Sequence, residues 1–332
     1  MQIDISCRHQ SWPLAGSFAI SRGAKTSTEV VIAEVRLGVH CGQAECTPYP
    51  RYGETVDSVL AQIRSVGAQL ADPSVQTKDA LALLQTLLPA GAARNALDCA
   101  LLDALAKVAG LPAHTLLGEP APQPVVSVYT LSLDSAQAMG RAALERANVP
   151  LMKLKLAGEG DLERVAAVRA NAPNARLIVD ANEGWSRDQV VPFSRALADL
   201  GVQLIEQPLP ANEDAYLAEI EHPVPLCADE SCHTRDGLAA LVGRYEFVNI
   251  KLDKTGGLTE ALALRDAARA LGFKVMVGCM MASSLAMAPA VLVAQGAEIV
   301  DLDGPLWLAQ DWPNAMHYDG TVAHPAERSL WG

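Results

Sequence analysis

The chain has 332 residues, half of them hydrophobic, and its 38 acidic against 26 basic side chains give a net charge of −12. That length exceeds what one hydrophobic core usually serves, so a core in two parts is expected, and the acidic excess argues against non-specific nucleic-acid binding. Seven cysteines without a CxxC pair suggest a reducing compartment; with no signal-peptide pattern at the N-terminus and no apolar run near the roughly 20 residues a bilayer span needs, a cytoplasmic protein without membrane contacts is expected.

In chain order, strands are expected around 2–8, 29–38 and 42–46, followed by helices at about 54–71, 77–87 and 92–109, the last ended by Gly110 and Pro112. Between the first two strands, Ser17 to Thr28 is a polar, glycine-containing stretch that reads as a mobile lid loop. Its cations, Arg22 and Lys25, are candidates to meet a substrate carboxylate. Arg22 is favoured because a guanidinium binds two oxygens at once. Thr47 to Gly53, stiffened by Pro48 and Pro50, reads as a pocket wall. Residues 1–118 are thus expected to form an α+β cap, and the prolines from Pro120 to Pro124 a linker.

From Val125 the pattern changes to short strands alternating with Ala-rich helices, at 125–133, 152–156, 176–180, 203–206, 225–229, 247–252, 274–279 and 298–303. Eight strands with intervening helices give an α/β fold, a modified (β/α)7β TIM-like barrel over 119–310, with the tail 311–332 returning to the cap.

Five of these strands end in a charge: Lys155, Asp180, Glu206, Asp229 and Lys251, at steps of 25, 26, 23 and 22 residues. Parallel strands closed into a barrel bring all five to one rim, where such barrels keep their chemistry. Asp, Glu and Asp offer only oxygen donors, which suits a hard cation such as Mg2+, with Mn2+ not separable by ligand type. A single acid at a strand end caps the next helix as often as not; three in register make a site.

Lys153 and Lys155 project from the same side of one strand, and a neighbouring cation disfavours a charged amine. Lys155 is therefore expected to have a lowered pKa and to act as a base, and Lys251 to feel a bound metal in the same direction. Lys254 reads as a solvent-facing or turn-shaping residue. Two lysines about a divalent cation suit removal of a proton next to a carboxylate and its return, the cation offsetting the ene-diolate charge. With a base on each face of the carbon, the outcome is racemisation or epimerisation.

The ladder, together with CGQAECTPYPRYGE, PAGAARNALDCALLD, ADESCHTR and NIKLDKTGGLTEAL, resembles the enolase superfamily in its muconate-lactonizing subgroup. More closely, these stretches are similar to dipeptide epimerases of the L-Ala-D/L-Glu type, which serve murein-peptide recycling. The resemblance implies that Lys155 and Lys251 are the acid/base catalysts with Lys153 tuning the first, that Asp180, Glu206 and Asp229 bind Mg2+, and that a dipeptide is the substrate. On the last strand, period two places Asp301 and Asp303 on one face. Such a pair would repel an anion unless the substrate also brought a cation, and in dipeptide epimerases a DxD pair binds the substrate ammonium. Thr130 occupies a position that lines the site in relatives.

Other readings stay open. N-acylamino-acid racemisation, o-succinylbenzoate synthesis and cycloisomerisation use substrates without an ammonium, and metal-dependent hydrolysis would use the acids to activate water. A histidine base near the end of the seventh strand is disfavoured by Val277-Gly278-Cys279-Met280-Met281. Oligomeric state, homo-oligomer included, is not legible from helical surfaces.

Overall fold

The computed structural model describes residues 1–332. The chain opens with an antiparallel sheet of β1 (Ile3–Ile20), β2 (Gly23–Leu37) and β3 (His40–Cys46). β1 and β2 stay paired from Ile3↔Leu37 to Ile20↔Gly23, with one register shift between Pro13 and Phe18. The expected lid loop is therefore the end of a hairpin, closed by the two-residue turn Ser21–Arg22. Gly23, at φ 135°, supplies the backbone freedom that a turn this tight needs.

Helices α1 (Val56–Leu70), α2 (Ala80–Leu87) and α3 (Ala92–Ala109) follow where the apolar periodicity placed them. A capping box between Thr55 and Ser58 starts α1. α3 is buried on almost every side because it lies between this sheet and the barrel. Its approach to β3 depends on Gly42, where a Cβ would lie 2.2 Å from the Ala100 carbonyl oxygen.

After α4 (Ala113–Leu117), the single strand expected over 125–133 divides in two. β4 (Val125–Val126) joins a small antiparallel sheet with two short strands of the tail, Tyr318–Asp319 and Val322–Ala323, whereas β5 (Tyr129–Leu131) enters the barrel. Ser127 makes the switch: its N–H donates to Thr321 O at 2.8 Å, and its hydroxyl accepts from Leu302 N at 2.9 Å.

The barrel continues with β6 (Leu151–Lys155), β7 (Arg176–Asp180), β8 (Val202–Glu206), β9 (Leu226–Ala228), β10 (Phe247–Ile250), β11 (Lys274–Gly278) and β12 (Ile299–Asp301), all parallel and adjacent in chain order. Val128 N–H donates to Val300 O at 2.8 Å and closes the ring between first and last strands. Helices α5 (Ala136–Glu145), α6 (Asp161–Asn171), α7 (Arg187–Asp199), α8 (Leu252–Thr255), α9 (Leu258–Ala270) and α10 (Ser284–Val293) lie in the connections. After β8 and β9 the expected helices are instead 3-10 turns, Asp214–Glu219 and Arg235–Leu241. Pro208, Pro210, Pro223 and Pro225 crowd the first of these connections, and Gly237 and Gly243 break the second.

Inside the barrel, Val128, Leu151, Ile178, Leu204, Cys227, Phe247, Met276 and Ile299 form a closed apolar layer, one residue from each strand or its edge. Because side chains alternate with period two, the residues two further along face inward as well: Thr130, Lys153, Asp180, Glu206, Asp229, Asn249, Gly278 and Asp301. An apolar plug thus lies directly beneath a polar layer.

Candidate active site

The polar layer is built by strand register. Thr130 pairs with Lys153, Lys155 with Asp180, Asp180 with Glu206, and Gly278 with Asp301. All of these except Gly278 carry polar side chains, and Gly278 leaves room for its neighbours: a Cβ there would lie 2.7 Å from Asn249 Oδ1 and 3.1 Å from Lys251 Cε. Above the layer opens a cavity of about 520 Å3, lined by barrel residues and by the hairpin and the Thr47 to Tyr52 wall.

Lys153 is the hub of the layer, 1% exposed, with its ammonium 2.7 Å from Asp301, 2.7 Å from Glu206 and 3.1 Å from Asp180. Burial opposes its charge, but these carboxylates, Asp301 foremost, raise its pKa well above the ordinary lysine value. The repulsion expected between Lys153 and Lys155 is replaced by a bridge, since Lys155 Nζ lies 2.5 Å from the same Asp180 Oδ2. Lys251, just past β10, sits 2.7 Å from Asp229 Oδ2. Burial again opposes the charge, and Asp229 followed by Glu206 outweighs it, so its pKa is raised where a lowered value was expected. The expectation assumed a metal's positive charge; here the facing groups are carboxylates.

Lys254 corrects another expectation. It is 1% exposed, and its ammonium binds Asp229 through both main-chain O and Oδ1 (2.5 and 2.6 Å) and reaches Asn249 O at 2.9 Å. The one-turn helix α8 folds it back under the rim, and nothing in the local sequence announces that reversal. Asn249 was missed as well. It donates to Glu206 Oε1 at 2.8 Å, and its place two residues before Lys251 on the same strand face was a legible signal.

The three acids differ in electrostatic environment. Burial would raise Asp180, but Lys155 and Lys153 hold it below the usual carboxylate value. Asp229 is likewise held well below its usual value against burial, by Lys251 and Lys254. Glu206 is pushed up to about 7 by burial and by Asp180. Its Oε2 lies 2.7 Å from Lys153 Nζ yet off the hydrogen-bonding direction, which leaves a buried oxygen without a hydrogen bond. In this structure the acid oxygens face lysines and are not gathered about a common point. Three buried carboxylates on adjacent strands, one with an orphaned oxygen, nevertheless fit a hard divalent cation by donor chemistry.

Asp303 lies beyond the end of β12, at the start of a 3-10 turn over Gly304–Trp307, but it does not cap that turn with its side chain. Its Oδ2 accepts from Thr130 N–H at 2.6 Å instead. Burial first, and Asp301 second, push its pKa up to about 7. Asp301 directs Oδ2 at Lys153. Both acids and Thr130 line the cavity.

On the hairpin, Arg22 is engaged by the protein. It donates to Asn182 O (2.9 Å), Tyr49 OH (2.9 Å) and Glu230 Oε1 (2.8 Å). Asn182 and Glu183 adopt left-handed backbone conformations, φ 44° and 66°, at this contact. Lys25 is exposed as a residue, but its ammonium turns inward, 3.4 Å from the Thr28 hydroxyl, and it lines the cavity. Burial of that ammonium, aided by Lys155 and opposed by Cys279 and Glu29, lowers its pKa to about 8. His233 stays apart from the acids, with a ring nitrogen 3.1 Å from Glu230 O and the ring edge-on to Tyr52.

Residues 2–118 match the mandelate racemase / muconate lactonizing enzyme N-terminal domain, and residues 135–326 match the family described as enolase C-terminal domain-like. The chain is 48% identical over 317 residues, 95% of its length and 97% of the relative's, to the L-Ala-D/L-Glu epimerase of Escherichia coli (strain K12). It is 46% identical over 303 residues, covering 91% of this chain and 94% of the relative, to an N-acetyl-D-glutamate racemase of a Pseudoalteromonas species. Among solved structures, an enolase family member from Agrobacterium tumefaciens with homology to dipeptide epimerases, holding sodium and L-Ala-L-Glu with an ordered loop, superposes with a TM-score of 0.95. That match is 48% identical and covers 99% of this chain and 100% of the other. By domain content and by near full-length similarity, the chain belongs to the enolase superfamily, in its mandelate racemase / muconate lactonizing enzyme branch, and is closely related to L-Ala-D/L-Glu epimerases.

Proposed function

We propose that the protein is a Mg2+-dependent dipeptide epimerase that inverts the α-carbon of the C-terminal residue, with L-Ala-D/L-Glu as main substrate and murein-peptide recycling as its setting. The observation that carries this reading is the placement of two lysines across the buried acids. Lys155 ends β6 and Lys251 follows β10, four strands apart in a ring of eight and so on opposite walls. Their ammonium groups therefore address opposite faces of a carbon held between them.

In one direction Lys155, as the free amine, takes the α-proton, and the ammonium of Lys251 returns a proton to the opposite face; the reverse reaction exchanges the roles. Lys153 stays charged among its carboxylates and holds Asp180, Glu206 and Asp301 in place. A hard divalent cation held by Asp180, Glu206 and Asp229 would offset the charge that grows on the substrate carboxylate as the proton leaves. Asp303, with Asp301 behind it and Thr130 fixing one oxygen, receives the substrate ammonium. Lys25 takes the side-chain carboxylate, the role first expected of Arg22, because the Arg22 guanidinium is already occupied by Asn182, Tyr49 and Glu230. Residues 1–118 with 311–332 serve as the cap, and 119–310 as the catalytic barrel. A cytoplasmic location accords with seven unpaired thiols.

Proton NMR of L-Ala-D-Glu with the protein and Mg2+ in D2O tests the proposal. Exchange of the Glu α-proton with appearance of L-Ala-L-Glu is expected; absence of both overturns it. A second reading, racemisation of an N-acylated glutamate, draws support from the Pseudoalteromonas relative and from Asp303, whose raised pKa leaves it partly protonated and able to donate to an acyl oxygen. Asp303→Asn separates the two, since it removes the ammonium's partner but keeps a donor for an acyl group.

A further inference from the structure

Gln207 directly follows Glu206, is fully buried, and has φ 34°, in the left-handed region that residues with side chains seldom adopt. Five polar neighbours hold its amide. Nε2 shares its two protons among Leu209 O (2.9 Å), Ser231 Oγ (2.8 Å) and Tyr245 OH (3.0 Å). Oε1 accepts from Asp229 N (2.9 Å) and Ser231 N (3.1 Å).

The orientation of the amide follows from its neighbours. Ser231 Oγ and Tyr245 OH each give their own proton to Asp214 Oδ2, at 2.6 and 3.0 Å, so both accept from Gln207. The side-chain carbonyl is therefore the end that faces the Asp229 main chain. Gln207 also donates its own N–H to Cys227 O and accepts from Glu183 N, both at 2.9 Å. One residue thus joins the rim segments after β7, β8 and β9, the strands that carry Asp180, Glu206 and Asp229. The Asp229 carboxylate itself is shared between two cations, Lys251 at Oδ2 and Lys254 at Oδ1.

We propose that Gln207 is a positioning residue for the metal-binding carboxylates, its side-chain carbonyl holding the Asp229 main chain in register with Glu206. The inference rests on the metal reading given under the proposed function. Partners one step removed from a metal typically change its affinity about 10- to 100-fold when lost.

Calorimetric titration of the full-length protein with Mn2+ tests this, together with thermal unfolding. If the wild-type protein does not bind Mn2+, the metal reading itself fails. Given wild-type binding, Gln207→Met, which keeps the shape and loses every bond of the amide, is expected to weaken binding about tenfold or more. Tyr245→Phe removes a partner of Nε2 and a donor to Asp214 but leaves the bonds of Oε1 intact, so its expected result is a lower unfolding temperature with Mn2+ affinity within about threefold of wild type. Gln207→Glu keeps the accepting oxygen, and affinity no more than about threefold weaker than wild type is expected; it carries the test if the methionine variant does not fold. Unchanged affinity in a folded Gln207→Met, a Tyr245→Phe loss as large as that of Gln207→Met, or a loss of about tenfold in Gln207→Glu overturns the inference.

Discussion

Two layers inside one barrel, two residues apart on every strand, have opposite contents. The lower, from Val128 to Ile299, is wholly apolar. The upper, from Thr130 to Asp301, packs carboxylates around the ammonium of Lys153. Burying an apolar side chain contributes roughly 1.5–3 kcal/mol each, whereas a buried ion pair often does no better than break even against its desolvation. The lower layer therefore holds the barrel shut, and the upper layer gives up part of that stability for chemistry. What separates stability from function here is a single step of the β-strand pleat.

The contrast between the layers should be greatest at the top of the upper one. Lys155→Ala and Lys251→Ala should each lower epimerisation by on the order of 10²- to 10⁴-fold, the usual worth of a positioned acid or base. Each should also abolish D2O exchange from only one of L-Ala-D-Glu and L-Ala-L-Glu, which NMR resolves. Exchange lost from both diastereomers alike would contradict opposed faces.

Within the layer, Lys153→Met should destabilise the fold by about 3–5 kcal/mol, because it leaves buried carboxylates without their shared cation. Urea unfolding should show that loss, and Mg2+ should restore more stability to this variant than to wild type. Below, Ile178→Ala should cost about 2–5 kcal/mol through lost burial and a cavity, with turnover of the folded enzyme little changed. A large fall in its kcat would mean that the two layers are not separable.

The mildest test is pH. Asp303, raised to about 7, loses its charge as pH falls through that value, so binding of a substrate ammonium weakens on the acid side. Lys25, lowered to about 8, loses its charge as pH rises through that value, so binding of a side-chain carboxylate weakens on the alkaline side. KM for L-Ala-D-Glu should be lowest between about 7 and 8, rising up to about tenfold per unit outside that window. Asp303→Asn should flatten the acid limb, and Lys25→Met the alkaline one. For stability the Asp303 sign is opposite to its role in binding. A carboxyl raised from 3.8 to about 7 contributes stability that is fully present below about 3.8 and is lost as pH rises from there through about 7.

The polar layer was partly legible. Lys155, Asp180, Glu206, Asp229 and Lys251 stand out because each charge ends an apolar strand at a regular step, and Lys153 and Asp301 because each shares a strand face with a second charge two residues on. Asn249 obeys the same parity but carries no charge to draw notice, and Thr130, equally uncharged, stood out only through the family resemblance. The helices of the cap were legible for the same reason of periodicity, while the hairpin over Ser17 to Thr28 was not. Its polar residues match a loop in composition, and what makes them strands is the partner across the turn.

Strand order and most of the charges that the barrel gathers were readable from the order of amino acids, because period two and short connections are local properties of a chain. Which charge meets which was set by the packed fold. Packing turned Lys254 under Asp229, engaged Arg22 with Glu230, set Gln207 between neighbouring strands and placed Lys251 against Asp229. Those outcomes depend on distances of a few ångströms between residues far apart in the chain, and electrostatic energy in a buried site changes steeply over such distances.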